Sequence, residues 1–206
     1  MPMRTRAAAL ATLTVAALAA GPALTAPAGA AVRENTPPSF LSASELPPHP
    51  LSDWTAGPVT DGFPEQLAYC LGEGVPAYDY RHRLFHTDLD TGAVQVTVVT
   101  GSAAKGKALA ALLDKRIRSC ADRLERTYPD IEAEGRYYGT LPVEEGATVR
   151  GLHTETSWGA TDIHLLSVGR DGRTVTVVDW GQMGDFGDAP VGAFKKTTKR
   201  AVNKLH

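Results

Sequence analysis

Hydrophobic and polar residues follow two different periods along the chain. Residues 93–100 are rich in β-branched side chains and residues 78–87 alternate well enough for a second strand. Turn residues separate the two segments, so together they predict a β-hairpin. Over residues 102–128 apolar side chains return every three or four positions, which indicates one long amphipathic helix that Pro129 ends.

The second half of the chain predicts four strands and a final helix. The strands are expected over residues 131–141, 147–158, 161–169 and 174–180. Asp171 and Gly172 favour a tight turn before the last strand, and a glycine-rich loop, 181–188, leads to a helix over 189–205. Short connections favour antiparallel neighbours. The predicted fold class is therefore α+β, a mainly antiparallel sheet flanked by two main helices.

The N-terminal residues have the layout of a secretory signal peptide. Arg4 and Arg6 precede an apolar run, 7–20, and Ala28 and Ala30 supply the small residues of a cleavage site. The run is shorter than the roughly 20 residues that cross a bilayer, although an N-terminal membrane anchor remains the alternative. We expect secretion, no membrane span, and three segments: a signal peptide (1–30), a flexible leader (31–38) and one α+β domain (39–206).

Composition and charge narrow the functional classes. Hydrophobic residues make up 43% of the chain, which excludes a mostly disordered protein. The 21 basic residues do not outnumber the 23 acidic ones, so we expect no nucleic-acid partner, since such a protein needs a basic surface. Two cysteines in an exported protein predict one disulfide, Cys70 to Cys120, with two buried thiols as the alternative.

Histidines on the predicted strands give one candidate metal or acid–base site. His153 and Glu155 are two residues apart, so they share one face of a strand. Pairing across the following turn would place His164 opposite His153, which would complete a His/Glu/His set. This interpretation depends on the register, because a slip of one residue moves a side chain to the other face.

Aromatic side chains give a second candidate site. Four large rings are candidates for lining a ligand-binding groove: Tyr137, Tyr138, Trp158 and Trp180. Packing within the core or across strands is the alternative for each of them. Residues 101–108 have the spacing of a phosphate-binding loop, but Ala108 stands where a hydroxyl must hold Mg²⁺, so we expect no nucleotide and no cofactor.

The order of elements resembles the extracytoplasmic sensor domain of PknH-type bacterial receptor serine/threonine kinases, and the stand-alone exported proteins of that family. The resemblance covers about residues 40–205 and is carried by residues 40–47, Cys70, the helix that ends in Cys120 and the strand 174–179. It implies a twisted antiparallel sheet flanked by helices, with a cleft for an unidentified ligand, and it supplies no catalytic residues. Kinase-attached members usually have two disulfides, whereas this chain can form one.

The sequence favours a secreted, monomeric, non-enzymatic protein that captures a small molecule or a cell-envelope component in a cleft. Two alternatives stay open. One is a secreted hydrolase, metal-assisted through His153, Glu155 and His164. The other is a partner-binding or inhibitor protein that uses the edge of its sheet or the loop 181–188.

Overall fold

The computed structural model describes residues 37–72 and 75–206. The predicted signal peptide, and the predicted leader up to residue 36, lie outside these ranges. Within them one sheet contains seven strands: β1 (Thr55–Asp61), β2 (Tyr80–His86), β3 (Gly92–Val99), β4 (Ile131–Leu141), β5 (Ala147–Thr156), β6 (Thr161–Asp171) and β7 (Thr174–Met183). The strand order is β1-β2-β3-β7-β6-β5-β4, and every neighbouring pair is antiparallel.

Four α-helices lie in the described part of the chain, together with 3₁₀ turns at Ala43–Glu45 and Glu65–Leu67. The helices are α1 (Ala68–Leu71), α2 (Ala103–Arg118), α3 (Cys120–Thr127) and α4 (Val191–Asn203). The predicted α+β class with an antiparallel sheet and one disulfide is confirmed. None of these helices is long and apolar enough to cross a membrane.

The predicted long helix is interrupted at Ser119, which separates α2 from α3. The Ser119 hydroxyl donates to the carbonyl oxygen of Lys115 at 3.1 Å. Such hydrogen bonds from serine to the preceding turn compete with the helical ladder and bend helices. The guanidinium of Arg123 donates to the same hydroxyl oxygen at 2.6 Å, which holds the bend in place.

The sheet is covered on both faces, and each face has its own core. On the face that we call the disulfide face, α2 packs mainly against β6 and β7 and α3 against β4 and β5, with side chains such as Leu113 and Leu166 about 1% exposed or less. On the opposite face, the α4 face, Phe194 of α4 and Leu41 are fully buried. Burial of each such side chain contributes roughly 2 kcal/mol.

A buried glutamine ties the N-terminal segment to the α4 face. Gln95 on β3 is fully buried, and its Oε1 accepts a hydrogen bond from the Leu41 backbone N–H at 2.7 Å. Its Nε2 donates to the hydroxyl of Thr176 on β7 at 3.3 Å. A buried amide is costly unless it is hydrogen-bonded, so these bonds fix where residues near Leu41 dock.

Candidate functional site

A cavity with a volume of about 530 Å³ lies on the disulfide face, where strands β2, β3, β7 and β6 adjoin. Its floor contains Gly92 of β3 and Gly181 of β7, which are directly paired across the two strands. Because side chains alternate along a strand, Gly92 lies on the same face of the sheet as Val94, which is a core residue of the disulfide face. The cavity therefore occupies the space that the missing side chain of Gly92 leaves above the sheet, beside the Gly181 backbone.

Residues from two structural layers form the walls of this cavity. Gln66 and Tyr69 come from the turn and helix around α1, while Leu84, Val94 and Met183 provide apolar surface from the strands. Ligand sites are usually concave and mostly apolar with a few convergent polar groups. The lining therefore matches the chemistry expected of a small-molecule site.

A hydrogen-bonded network of three side chains stands at the inner wall. Asp179 of β7 accepts from the Tyr69 hydroxyl at 3.0 Å through Oδ2, and its Oδ1 lies 3.0 Å from Nδ1 of His164 on β6. The Asp179 side chain is only 6% exposed, whereas the His164 side chain, which also lines the cavity, is 28% exposed. Because a carboxylate is acceptor-only, Nδ1 of His164 is assigned the proton.

The network sets the protonation states of its members. Burial alone would lower the pKa of His164, but the charge and hydrogen bond of Asp179, with the charge of Asp162, outweigh it and raise this pKa above its usual value. Burial, together with the Asp179 charge and hydrogen bond, raises the pKa of Tyr69 well above its usual range. Tyr69 therefore remains a neutral hydrogen-bond donor.

The second ring nitrogen of His164 is available to a ligand. Its Nδ1 bonds Asp179, while its Nε2 hydrogen-bonds none of the described residues. The ring lies against Gly181, where an added Cβ would stand 2.7 Å from two ring atoms. Gly181 thus lets the imidazole lie flat on the sheet beside the cavity.

The disulfide holds the wall of the cavity that carries Tyr69. Cys70 and Cys120 are bonded, as predicted, and both are fully buried. The Cys120 sulfur lies 3.9 Å from the Tyr69 carbonyl oxygen. Arg123 and Arg116 donate to the carbonyl oxygens of Cys70 and Leu71, which caps the end of α1. The disulfide therefore fixes the position of Tyr69, which hydrogen-bonds Asp179.

The predicted pairing of His153 with His164 is wrong by one residue. His164 is opposite Leu152, whereas His153 is opposite Ile163, so the two histidines lie on opposite faces of the sheet. Glu155 is exposed and pairs with Thr161, away from the cavity. Within residues 37–72 and 75–206 no group of three or more His, Cys, Asp or Glu side chains is placed to hold a metal ion.

The four predicted aromatic residues do not share a groove. Tyr137 is 54% exposed with the Arg150 guanidinium 4.8 Å from its ring centroid, and Trp158 is 72% exposed in the turn between β5 and β6. Tyr138 packs against the α4-face core, and Trp180 is buried in that core. For Tyr138 and Trp180 the structure therefore shows the alternative, packing in or against the core.

Sequence reasoning found His164 but missed Tyr69 and Asp179. One signal for Asp179 was present, because it is a charged residue at the end of the apolar run Thr174–Val178, and buried carboxylates are retained only with partners. For Tyr69 the signal was its position next to Cys70. Neither signal tells which residue the side chain contacts, since that requires the register of β6 against β7.

No family model matches this chain, no curated protein matches it, and no solved structure matches it. The cavity and its polar network are therefore the features that bear on function.

Proposed function

We propose that the chain is a secreted, non-enzymatic binding protein that captures a small molecule in the cavity on the disulfide face. The observation that carries this proposal is the 530 Å³ cavity whose apolar walls meet the network of Tyr69, Asp179 and His164. A cavity of this size accommodates a ligand of drug-like dimensions. The network supplies the few polar groups that orient such a ligand.

The chemistry of the lining favours binding over bond cleavage. Among the described residues that line the cavity, none is Ser, Thr, Cys or Lys, so the lining offers no aliphatic hydroxyl, thiol or amine nucleophile beside His164. The Tyr69 hydroxyl is held as a donor with a raised pKa, so it is a poor nucleophile. The separation of His153 from His164 removes the support for a metal-assisted hydrolase.

Two features support secretion. The N-terminal sequence has the layout of a signal peptide, and the Cys70–Cys120 disulfide suits an oxidising compartment. The resemblance to extracytoplasmic sensor domains agrees with a capture function, because it also implies a ligand-binding cleft.

The test is a thermal-shift screen of the purified chain against fractionated envelope extracts and culture medium. A ligand present at 100 times its Kd stabilises by about 2.7 kcal/mol, which raises Tm by roughly 5 to 10 °C in a domain of this size. No shift with any fraction would contradict the proposal.

Two leucine variants locate the binding site. In Gly92→Leu the new side chain occupies the cavity, and its Cβ would meet only the Phe85 carbonyl oxygen, at 3.8 Å. In the matched control Gly192→Leu the side chain points to open space on α4. We expect the shift to disappear in Gly92→Leu and to persist in Gly192→Leu. An equal shift in both variants would place the ligand elsewhere.

A further inference from the structure

No lysine or arginine of the described lining balances the carboxylates around the cavity. Among the described residues of its lining the acidic ones are Asp90, Asp162 and Asp179, and neither Lys nor Arg is present. Asp179 is already engaged by Tyr69 and His164, whereas the side chain of Asp162 has no hydrogen bond or ion pair within the described ranges. A ligand in this cavity therefore meets a net negative potential and one carboxylate without a partner.

Nε2 of His164, an acceptor without a partner among the described residues, lies on the same strand and the same face of the sheet as Asp162. His164 and Asp162 are two residues apart on β6, so their side chains emerge about 7 Å apart on one side of the sheet. When His164 is neutral, its Nδ1 keeps the proton for Asp179 and its Nε2 presents a lone pair. A buried or half-buried acceptor of this kind is matched by a donor on the ligand.

We propose that the cavity selects a small organic cation, an ammonium group carried on an apolar body. The ammonium N–H groups would donate to Asp162 and to Nε2 of His164, and the apolar body would lie against Leu84, Val94 and Met183. This inference rests on the proposed binding function and adds the class of ligand to it.

The same lining discriminates against the other two charge classes. An anion would face three carboxylates, and the nearest positive group, protonated His164, is already paired with Asp179. A neutral ligand of the same shape would gain the apolar contacts but not the charge-assisted hydrogen bonds, which are roughly twice as strong as neutral ones. When His164 is neutral, a cation on an apolar body is the one class of ligand that both the carboxylates and the apolar walls favour.

Binding of a cation is coupled to the protonation of His164. The groups that face this imidazole are Asp179 of β7, Asp162 of its own strand and Tyr69 of α1, with His86 and Asp90 at the rim of the cavity. A cation repels the imidazolium and needs Nε2 without a proton. Ligand binding therefore removes the proton from Nε2 of His164, and the affinity for the cation rises as pH increases through the pKa of His164.

Three probes of one size test the proposal: benzylamine, benzyl alcohol and benzoate. Each is titrated into the full purified chain at pH 8, with the His164 imidazole resonances followed by NMR and Gly92→Leu as the blocked control. We expect benzylamine to bind roughly tenfold more tightly than benzyl alcohol, benzoate to bind most weakly, and benzylamine to lower the pKa of His164.

Two charge-neutralising variants complete the test. Asp162→Asn should bring benzylamine to the affinity of benzyl alcohol, whereas Asp130→Asn, which removes an exposed acid of the turn before β4, should leave the preference intact. Equal binding of amine and alcohol to the wild-type chain, or tighter binding of benzoate, would overturn the cationic assignment and leave the proposed function standing. If no probe shifts cavity resonances relative to Gly92→Leu, both the assignment and the proposed site are wrong.

Discussion

Replacement of Asp179 tests whether the buried carboxylate organises the site. Asp179→Asn keeps the shape of the side chain and removes its charge, and the amide can still accept from Tyr69 and donate to His164. Asp179→Ala removes the charge and both hydrogen bonds, which are 3.0 Å long in the folded protein. The pair of variants therefore separates the effect of the charge from the effect of the hydrogen bonds.

The magnitudes follow from the burial of the carboxylate. Hydrogen bonds to a charged group contribute about 1.5 to 3 kcal/mol each, and a partner left unsatisfied adds a desolvation cost. The loss of both bonds around a side chain that is 6% exposed should lower the free energy of unfolding by about 3 to 5 kcal/mol in Asp179→Ala. Asp179→Asn should cost about half as much.

The pKa of His164 gives the sharper measurement. In the wild-type chain this pKa is raised, so the contribution of the group to stability is fully present below about pH 6.5, the ordinary value, and is lost as pH rises through the higher folded value. In Asp179→Asn the desolvation of the ring remains and exceeds the charge of Asp162. The folded pKa should then fall below the ordinary value, and stability should be lost as pH decreases.

The assay combines urea unfolding across this pH range with an NMR titration of the His164 ring. Tyr69→Phe serves as the control, because it removes one hydrogen bond to Asp179, at about 1 to 2 kcal/mol, and leaves the carboxylate charge in place. A His164 pKa that stays raised in Asp179→Asn would refute the assignment of Asp179 as the group that controls the imidazole.

Three further predictions concern the frame around the site. Replacing Cys70 and Cys120 together by Ala should lower the free energy of unfolding by about 4 kcal/mol, since the closed loop spans 50 residues; a loss below about 1 kcal/mol in urea unfolding would contradict the loop-entropy argument. Gly106→Ala should lower Tm despite the better helix propensity of Ala, because its Cβ would stand 2.9 Å from a carbonyl oxygen of the β6–β7 turn; a higher Tm would be the contrary result. Leu166→Ala, at a fully buried position, should cost about 3 kcal/mol, while the control Leu89→Ala, 52% exposed, should stay within about 0.5 kcal/mol; similar losses in both would show that Leu166 is not in a packed core.

The periodicity of the sequence predicts most elements but not all of them. Strands β2 to β7 fall within a few residues of their predicted positions, because long β-branched and apolar runs leave little choice of local structure. Strand β1 is not predicted, since Gly57 and Pro58 interrupt its pattern. It forms as an edge strand with a bulge between Ala56 and Val59, which is where a sheet tolerates proline.

The site was harder to predict than the fold because both faces of the sheet are buried. On β6, Ile163 and Leu165 belong to the α4 face and Leu166 belongs to the disulfide face, so apolar side chains point to both faces of the sheet. Such a strand lacks the clean alternation that assigns a face to each side chain. The sequence therefore identifies His164 as a strand residue without indicating that Asp179, and not His153, is its partner.

The location of the disulfide explains how a turn of four residues can form a wall of the cavity. A helix as short as α1 has no stability of its own, yet it carries Tyr69 at the inner wall of the cavity. The bond from Cys70 to Cys120 and the two arginine side chains that cap the turn replace the missing helical stability. Cleavage of this one bond therefore acts directly on the cavity wall that carries Tyr69, while the sheet, whose strands are held by their own ladders, is affected only through global stability. A cavity built in this way is suited to an oxidising compartment, where the disulfide that positions its wall persists.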